Sequence, residues 1–354
     1  MSHRAPVECA SRKFSFPLWR TSMCLAVMVA GTLLGHSAGI AAEQAAETAE
    51  SAESGFEALL EERTRGTLRA TVEYLRQHPD AADRQTALRW LFTAAVEHHL
   101  AADALPAADQ LLQSAEAEGE LKALAFQVRS LGRAAAKDSR GALEDFDDFL
   151  KSVSLRSPQP AVDLATVLSA RLQLAGDTDA ARALYERLSS RFFLNSYVRR
   201  LCEQRTARLS LAGKPAPEIT ATLPDNEQFP LEDYRGKVLL VDFWATNCAP
   251  CLVEFPRMKQ LYQQQHGNGF EVIGISLDED SETVDLFNTT AGLPWPLPLS
   301  STDNDATRGR YRVETIPAMY LVDQKGQVAF VDVRGGLLRE AVLQLLKAEP
   351  ADNP

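Results

Sequence analysis

The sequence predicts an N-terminal domain of helical hairpins and a C-terminal α/β domain whose mixed sheet has helices on both faces. Two observations lead to this prediction. Between about residues 56 and 211, apolar residues recur at helical spacing, and the periodic stretches contain almost no Gly or Pro. From residue 213 onward, short apolar runs typical of buried strands alternate with helical segments, and a hairpin and a last helix follow.

The first 42 residues have the pattern of an export signal. Basic residues end at Arg20, an apolar run extends from Met23 to Gly35, and small residues follow as far as Ala42. The run is short for a membrane span, which needs about 20 residues, although an uncleaved membrane anchor stays as the alternative. We therefore expect a periplasmic or otherwise exported protein, with a flexible linker rich in Ala, Glu and Ser over residues 43–55.

Charge and cysteine content exclude several classes of protein. The chain of 354 residues carries a formal net charge of -11, and it is more acidic still without the first 42 residues. An acidic chain is atypical of nucleic-acid binding, which needs a basic surface, so we expect no nucleic-acid partner. Five cysteines are too few for a small scaffold held together by disulfides.

Three pairs of helices are predicted between residues 84 and 192. The second helices of successive pairs begin about 35 and 38 residues apart, which is similar to tetratricopeptide-type repeats. An irregular helical bundle is the alternative. Stacked repeats often present a concave surface, so we expect a partner for this domain, of unknown identity. The predicted pairs are Arg84–Ala102 with Pro106–Ala117, Leu121–Ala136 with Gly141–Val153, and Ala161–Ala175 with Asp179–Phe192.

Gly213–Pro217 is the predicted boundary between a helical domain of residues 56–211 and an α/β domain of residues 213–350. Ser281 is the expected N-cap of the second α/β helix. The predicted strands are Val238–Phe243, Phe270–Ser276, Ala318–Val322 and Val328–Val333, and the predicted helices are Ala249–Gln265, Ser281–Ala291 and Leu337–Lys347.

Two cysteines separated by two residues, Cys248 and Cys251, stand where the first strand leads into a helix. This position is typical of a redox pair, because free amides at a helix start favour the thiolate of the first cysteine. A zinc site would need further ligands, and the domain has no second cysteine pair, so we expect no metal and no cofactor. A purely structural disulfide is the other alternative.

Four motifs in residues 213–350, about 40% of the chain, resemble the exported TlpA/ResA-like thiol-disulfide oxidoreductases of the thioredoxin fold. These motifs are Gly213-Lys214-Pro215-Ala216-Pro217, Phe243-Trp244-Ala245-Thr246, Glu254-Phe255-Pro256 and Thr315-Ile316-Pro317. The resemblance implies a thioredoxin-like domain in which Thr315-Ile316-Pro317 carries a cis-proline that faces the cysteine pair.

The resemblance also implies a role for individual residues. Cys248 matches the attacking nucleophile and Cys251 the resolving thiol, while Asp242 and Glu254 match carboxylates that could take the proton from Cys251. The implied substrate-binding residues are Trp244, Ala249, Pro250, Ile316 and Pro317. Asn247 departs from the family pattern, which usually has Trp immediately before the first cysteine.

The predicted function is therefore a thiol-disulfide oxidoreductase that reduces disulfides of exported proteins. Cytochrome c apoproteins are the substrates that the resemblance implies, and a membrane-bound thiol electron donor would have to restore the dithiol. One alternative is a scaffold in which the helical repeats bind a partner and the thioredoxin-like domain only docks. A second is a thiol peroxidase, although no Pro stands at the place upstream of Cys248 that a peroxidatic Pro-x-x-x-Thr-x-x-Cys motif requires.

Overall fold

The computed structural model describes residues 59–114, 117–221, 231–300 and 306–348. The predicted export signal (1–42) and linker (43–55) lie outside the described residues. Within the described ranges, no helix combines the length and apolar character that crossing a bilayer requires.

Eight α-helices precede the sheet among the described residues, and they confirm that this part of the chain is helical. Pro106 lies inside a helix and not at its start as predicted, because the Ala-rich turn before it is helical and buries Ala101 and Ala104. The helices are α1 (59–77), α2 (Arg84–Glu97), α3 (Ala101–Gln113), α4 (Gly119–Ala135), α5 (Ser139–Ser152), α6 (Gln159–Leu174), α7 (Thr178–Arg191) and α8 (Ser196–Leu209).

The break between α6 and α7 shows why the chain turns there. Gly176 has a φ of 89°, a left-handed conformation that glycine adopts without a steric cost. The carboxylate of Asp177 then accepts a hydrogen bond from the backbone N–H of Ala180 and caps α7. The two helices are therefore antiparallel neighbours.

A mixed sheet of four strands follows, in the order β2-β1-β3-β4. The central strand β1 pairs with β2 in parallel and with β3 in antiparallel orientation, and β3 pairs with β4 as a hairpin. β4 is two residues shorter than predicted, because Asp332 leaves the strand with a φ of 56°. The strands are β1 (Val238–Trp244), β2 (Phe270–Ser276), β3 (Ala318–Val322) and β4 (Val328–Val331).

The helix predicted over Ala249–Gln265 is wrong as a single element, since it divides into α9 (Ala249–Leu252) and α10 (Phe255–Gln265). Pro256 has no backbone N–H, and its ring would collide with the carbonyl of Leu252 in a continuous helix. The N-cap of α11 (Ser281–Ala291) is Asp280 and not Ser281, because the Asp280 carboxylate accepts from the N–H of Thr283. The remaining helices are α12 (Ala306–Arg310) and α13 (Gly336–Lys347).

Alternate residues of β1 belong to two different buried clusters. Val238, Leu240 and Trp244 share a cluster with both cysteines of the pair and with apolar residues of α10 and α13. Leu239 and Val241 belong to the cluster that also contains the core of helices α1–α8. The helical part and the sheet therefore share a hydrophobic core among the described residues.

Helix α6 also covers part of the edge of the sheet that β4 forms. The side-chain amide of Gln173 donates to the carbonyl of Val331 (3.0 Å) and accepts from its N–H (2.8 Å). Gln173 is 3% exposed, and it binds β4 as a neighbouring strand would.

Candidate active site around the Cys248–Cys251 disulfide

Cys248 and Cys251 form a disulfide with an S–S distance of 2.03 Å, directly after the carboxyl end of β1. Cys248 is the N-cap residue of α9 and is 8% exposed, whereas Cys251 is 1% exposed. Ala249 and Pro250, between the two cysteines, are exposed. The disulfide is thus more accessible from the side of Cys248 than from the side of Cys251.

The segment that leads into Cys248 is held by Asp278, which the sequence analysis did not identify. The Asp278 carboxylate accepts from the N–H of Thr246 (3.0 Å) and from its hydroxyl (2.7 Å). It also accepts from the hydroxyl of Ser276 at 2.7 Å. Asp278 comes two residues after β2, and the carboxyl ends of parallel neighbours meet at one edge of a sheet, which could have indicated this contact.

Asp242 is a completely buried carboxylate in the centre of β1, with 0% exposure. Strand alternation places its side chain on the same face as Leu240 and Trp244, which is the face of the cysteine pair. Neither carboxylate oxygen has a hydrogen-bond partner among the described residues. The pKa of Asp242 is raised to about 7: burial is the main cause, Arg334 opposes it, and the nearby Glu254 adds a smaller increase.

Glu254 lies between α9 and α10 and is half-buried. Its carboxylate accepts a hydrogen bond from the backbone N–H of Gly335 at 3.1 Å, just before α13. The two carboxylates predicted as proton acceptors are therefore near enough to influence each other, with Glu254 on the more accessible side.

The proline loop, which we define as Glu314–Pro317, lies at the same end of the sheet as the disulfide. The Ile316–Pro317 peptide bond is cis. Ala318, the first residue of β3, pairs with Phe243 near the end of β1. Ile316 also packs against the cluster that contains both cysteines.

Trp244 does not line this site. Its side chain is 0% exposed and packs against the rings of Phe255 and Phe287, with centroid distances of 5.1 and 5.2 Å. A side chain inside the core cannot contact a protein substrate, so the implied substrate-binding role of Trp244 does not fit this structure. Asn247, immediately before Cys248, is exposed.

A buried charge cluster, Asp332 with Arg205, Arg208 and Arg334, lies behind the proline loop. The Asp332 carboxylate is 2.7 Å from the Arg205 guanidinium, 3.2 Å from that of Arg208 and 3.1 Å from that of Arg334. Burial alone would raise the pKa of Asp332, but the three guanidiniums outweigh burial and hold this pKa well below its usual range. Arg205 and Arg208 come from α8, so sequence reasoning could not place them beside Asp332.

No group of three or more His, Cys, Asp or Glu residues in the described part of the chain is arranged to hold a metal ion.

Comparison with known proteins identifies relatives of the sheet-containing part. The model of the AhpC/TSA family matches residues 212–331, so helices α1–α8 lie outside that match. The chain is 30% identical over 135 residues to the thiol-disulfide oxidoreductase ResA of Bacillus thuringiensis subsp. konkukian, covering 38% of this chain and 76% of the relative. It is 29% identical over 136 residues to ResA of Geobacillus thermodenitrificans, with the same two coverages.

Solved structures include similar proteins. The thioredoxin domain of a thiol-disulfide oxidoreductase from Bacteroides vulgatus is 28% identical, with a TM-score of 0.36, and the match covers 38% of this chain and 98% of that one. A thiol:disulfide interchange protein from Chlorobium tepidum is 26% identical, with a TM-score of 0.34, and the match covers 37% of this chain and 95% of that one.

Proposed function

Because the chain belongs to the ResA-like thiol-disulfide oxidoreductases, we propose that it reduces disulfides of exported proteins through Cys248 and Cys251. The observation that carries this proposal is the Cys248–Cys251 disulfide at the carboxyl end of β1, with Cys248 the more exposed of the two. A pair in this position can exchange its disulfide with that of another protein.

The proposed reaction has two thiol–disulfide exchanges. The Cys248 thiolate of the reduced protein attacks one sulfur of the substrate disulfide, forms a mixed disulfide and releases the other substrate sulfur as a thiolate. Cys251 then loses its proton and attacks the sulfur of Cys248, which releases the second substrate sulfur and forms the Cys248–Cys251 disulfide. Two electrons pass to the substrate, and a membrane-bound thiol donor would return the pair to the dithiol.

Asp242 is our first candidate for the base that takes the proton of Cys251. A base works best when its pKa is near the working pH, and burial raises the pKa of Asp242 to about 7. Glu254 is the second candidate, on the more accessible side. Ala249, Pro250, Ile316 and Pro317 remain our proposed contacts for the substrate, since the first two are exposed and the others are half-buried.

Reduction of insulin disulfides by the reduced protein tests the proposal. We expect Cys248→Ser to abolish reduction, and Cys251→Ser to accumulate a mixed disulfide with the substrate. Cys202→Ala is the matched control, because Cys202 is a buried free cysteine on α8 and burial raises the pKa of its thiol to about 12. Insulin reduction by the Cys248→Ser variant at the wild-type rate would refute the proposal.

The cellular setting is part of the same proposal. We propose periplasmic or otherwise exported proteins as substrates, with cytochrome c apoproteins as the first to test, and a partner of unknown identity for the helical part. If the protein were only a scaffold, Cys248→Ser and wild type would behave alike in every assay of its function in cells. The thiol peroxidase alternative has less support, because no Pro stands upstream of Cys248 where a Pro-x-x-x-Thr-x-x-Cys motif requires one.

A further inference from the structure

We propose that helix α8 of the helical part is a positioning element of the redox site, in which Gln204 and Arg208 hold the proline loop for substrate docking. This inference rests on the proposed function, because the loop matters only if a protein disulfide docks beside Cys248. It assigns a role in the reaction to a part of the chain that the family match does not reach.

Gln204 binds two consecutive residues of the loop with one amide group. Its Nε2 donates to the carboxylate of Glu314 (3.0 Å), and its Oε1 accepts from the hydroxyl of Thr315 (2.8 Å). Gln204 is 5% exposed, whereas Glu314 and Thr315 are exposed, so the helix side of these bonds is shielded from water and the loop side is not. Because donor and acceptor are both used, the amide sets the orientation of the loop immediately before Ile316.

Arg208 fixes the other end of the loop. Its guanidinium lies 3.4 Å from the carbonyl oxygen of Pro317, which also accepts from Arg334 at 2.6 Å. Both arginines bind Asp332, whose side chain in turn accepts from the N–H of Met319 in β3. The last loop residue and the start of β3 are thus joined to α8 through buried charge.

The same helix forms one wall of a cleft of about 790 Å³ beside the loop. Arg200, Gln204 and Ala207 line it from α8, while Leu277 and Glu314 line it from the sheet-containing part. Leu277 donates its N–H to the carbonyl of Trp244, so this wall is joined to the end of β1. The proline loop is therefore bordered by α8 on the side of this cleft.

A contact between α6 and the sheet provides a control. It holds the helical part on the sheet, as the α8 contacts do, but it does not bind the proline loop. Gln173 also binds the sheet through one buried amide, but its two bonds to the sheet go to Val331 on the edge and not to the loop, and a third goes to Ser169 of its own helix. Loss of Gln173 should weaken the docking of the helical part without changing the orientation of Thr315.

The test compares Gln204→Ala, Thr315→Val and the double variant with Gln173→Ala in the full chain. For reduction of insulin, we expect Gln204→Ala and Thr315→Val each to raise KM about 3- to 10-fold, the loss that one or two hydrogen bonds produce. Reduction of a small aromatic disulfide should be unchanged, because a small molecule does not need the loop. The double variant should be no worse than the poorer single variant, because both remove one interaction.

Gln173→Ala should lower the free energy of unfolding and leave KM for insulin at the wild-type value. If Gln204→Ala is not folded, Thr315→Val tests the same bond from an exposed residue. The inference is refuted if the Gln204 and Thr315 variants keep the wild-type KM for insulin. It is also refuted if Gln173→Ala raises this KM as much as they do. In both cases, reduction of insulin by wild type would still support the proposed function. If wild type reduces neither disulfide, the proposed function fails and the inference fails with it.

Discussion

The two cysteines of the pair differ in exposure, and this difference sets their expected reactivity. Cys248 is 8% exposed at the start of α9, while Cys251 is 1% exposed. In the reduced protein at pH 7, iodoacetamide should therefore label Cys248 at least about 10-fold faster than Cys251, since access and thiolate character decide the rate. Peptide mass spectrometry over time measures both rates. Faster labelling of Cys251 would reverse the proposed roles.

Asp242 should make the stability of the protein depend on pH. Its pKa rises from the ordinary 3.8 to about 7 on folding, so the folded state holds the proton more tightly than the unfolded state does. Wild-type stability should then fall as the pH rises from about 4 to 7. Asp242→Asn removes this dependence on pH. We expect the free energy of unfolding of this variant to exceed that of wild type by roughly 1–3 kcal/mol at pH 8, with little difference at pH 4.

Urea unfolding at several pH values measures that difference. Asp285→Asn, on the exposed side of α11, is the control and should unfold as wild type does at every pH. A constant difference between Asp242→Asn and wild type across this range would mean that Asp242 does not titrate as described.

The two carboxylates should affect resolution of the mixed disulfide more than its formation. Asp242→Asn should slow the attack of Cys251 by roughly 10- to 100-fold and leave the attack of Cys248 nearly unchanged, since only Cys251 needs the base. Glu254→Gln should give a separable defect of the same kind, and the double variant should be slower than either. Stopped-flow measurements with a model disulfide separate the two steps. Resolution at the wild-type rate in both single variants would leave the solvent as the proton acceptor.

At the scale of elements, the division between α9 and α10 bears on the redox potential. α9 has only four residues, so few aligned peptide groups stabilise the Cys248 thiolate. Ala249 and Pro250 add no positive charge between the cysteines. Because a thiolate with little stabilisation makes the dithiol a better reductant, we expect a potential nearer thioredoxin's value of about -270 mV than DsbA's value of about -120 mV.

Equilibration of the protein with glutathione buffers, followed by quantification of free Cys248 and Cys251, gives this potential. A value above about -150 mV would identify an oxidant and contradict the proposed direction of electron transfer.

At the scale of the whole molecule, the helical part stabilises the sheet through contacts at its edge and on one face. Gln173→Leu would leave the buried N–H and carbonyl of Val331 without partners, and we expect it to lower the free energy of unfolding by about 2–4 kcal/mol. Gln263→Leu on the exposed side of α10 is the control and should change it by less than about 0.5 kcal/mol. Equal stability of the two variants would show that α6 does not support the sheet edge.

Local patterns were sufficient for the elements and for the redox pair. The apolar runs of β1 and β2, the helical period of residues 84–209 and the position of Cys248 after a strand are all set by neighbours in the sequence, and the structure confirms them. The division at Pro256 and the cap at Asp280 were missed, although both follow from local rules of helix geometry.

The surroundings of the pair depend on contacts between distant residues, which only the tertiary structure decides. Thr315 binds Gln204 across 111 positions, and Val331 binds Gln173 across 158. Period and spacing tell which residues share a face of an element, but not which face of another element they meet. The sequence by itself therefore determined a redox pair on a mixed sheet, while tertiary packing decided that Trp244 is buried and that α8 adjoins the proline loop.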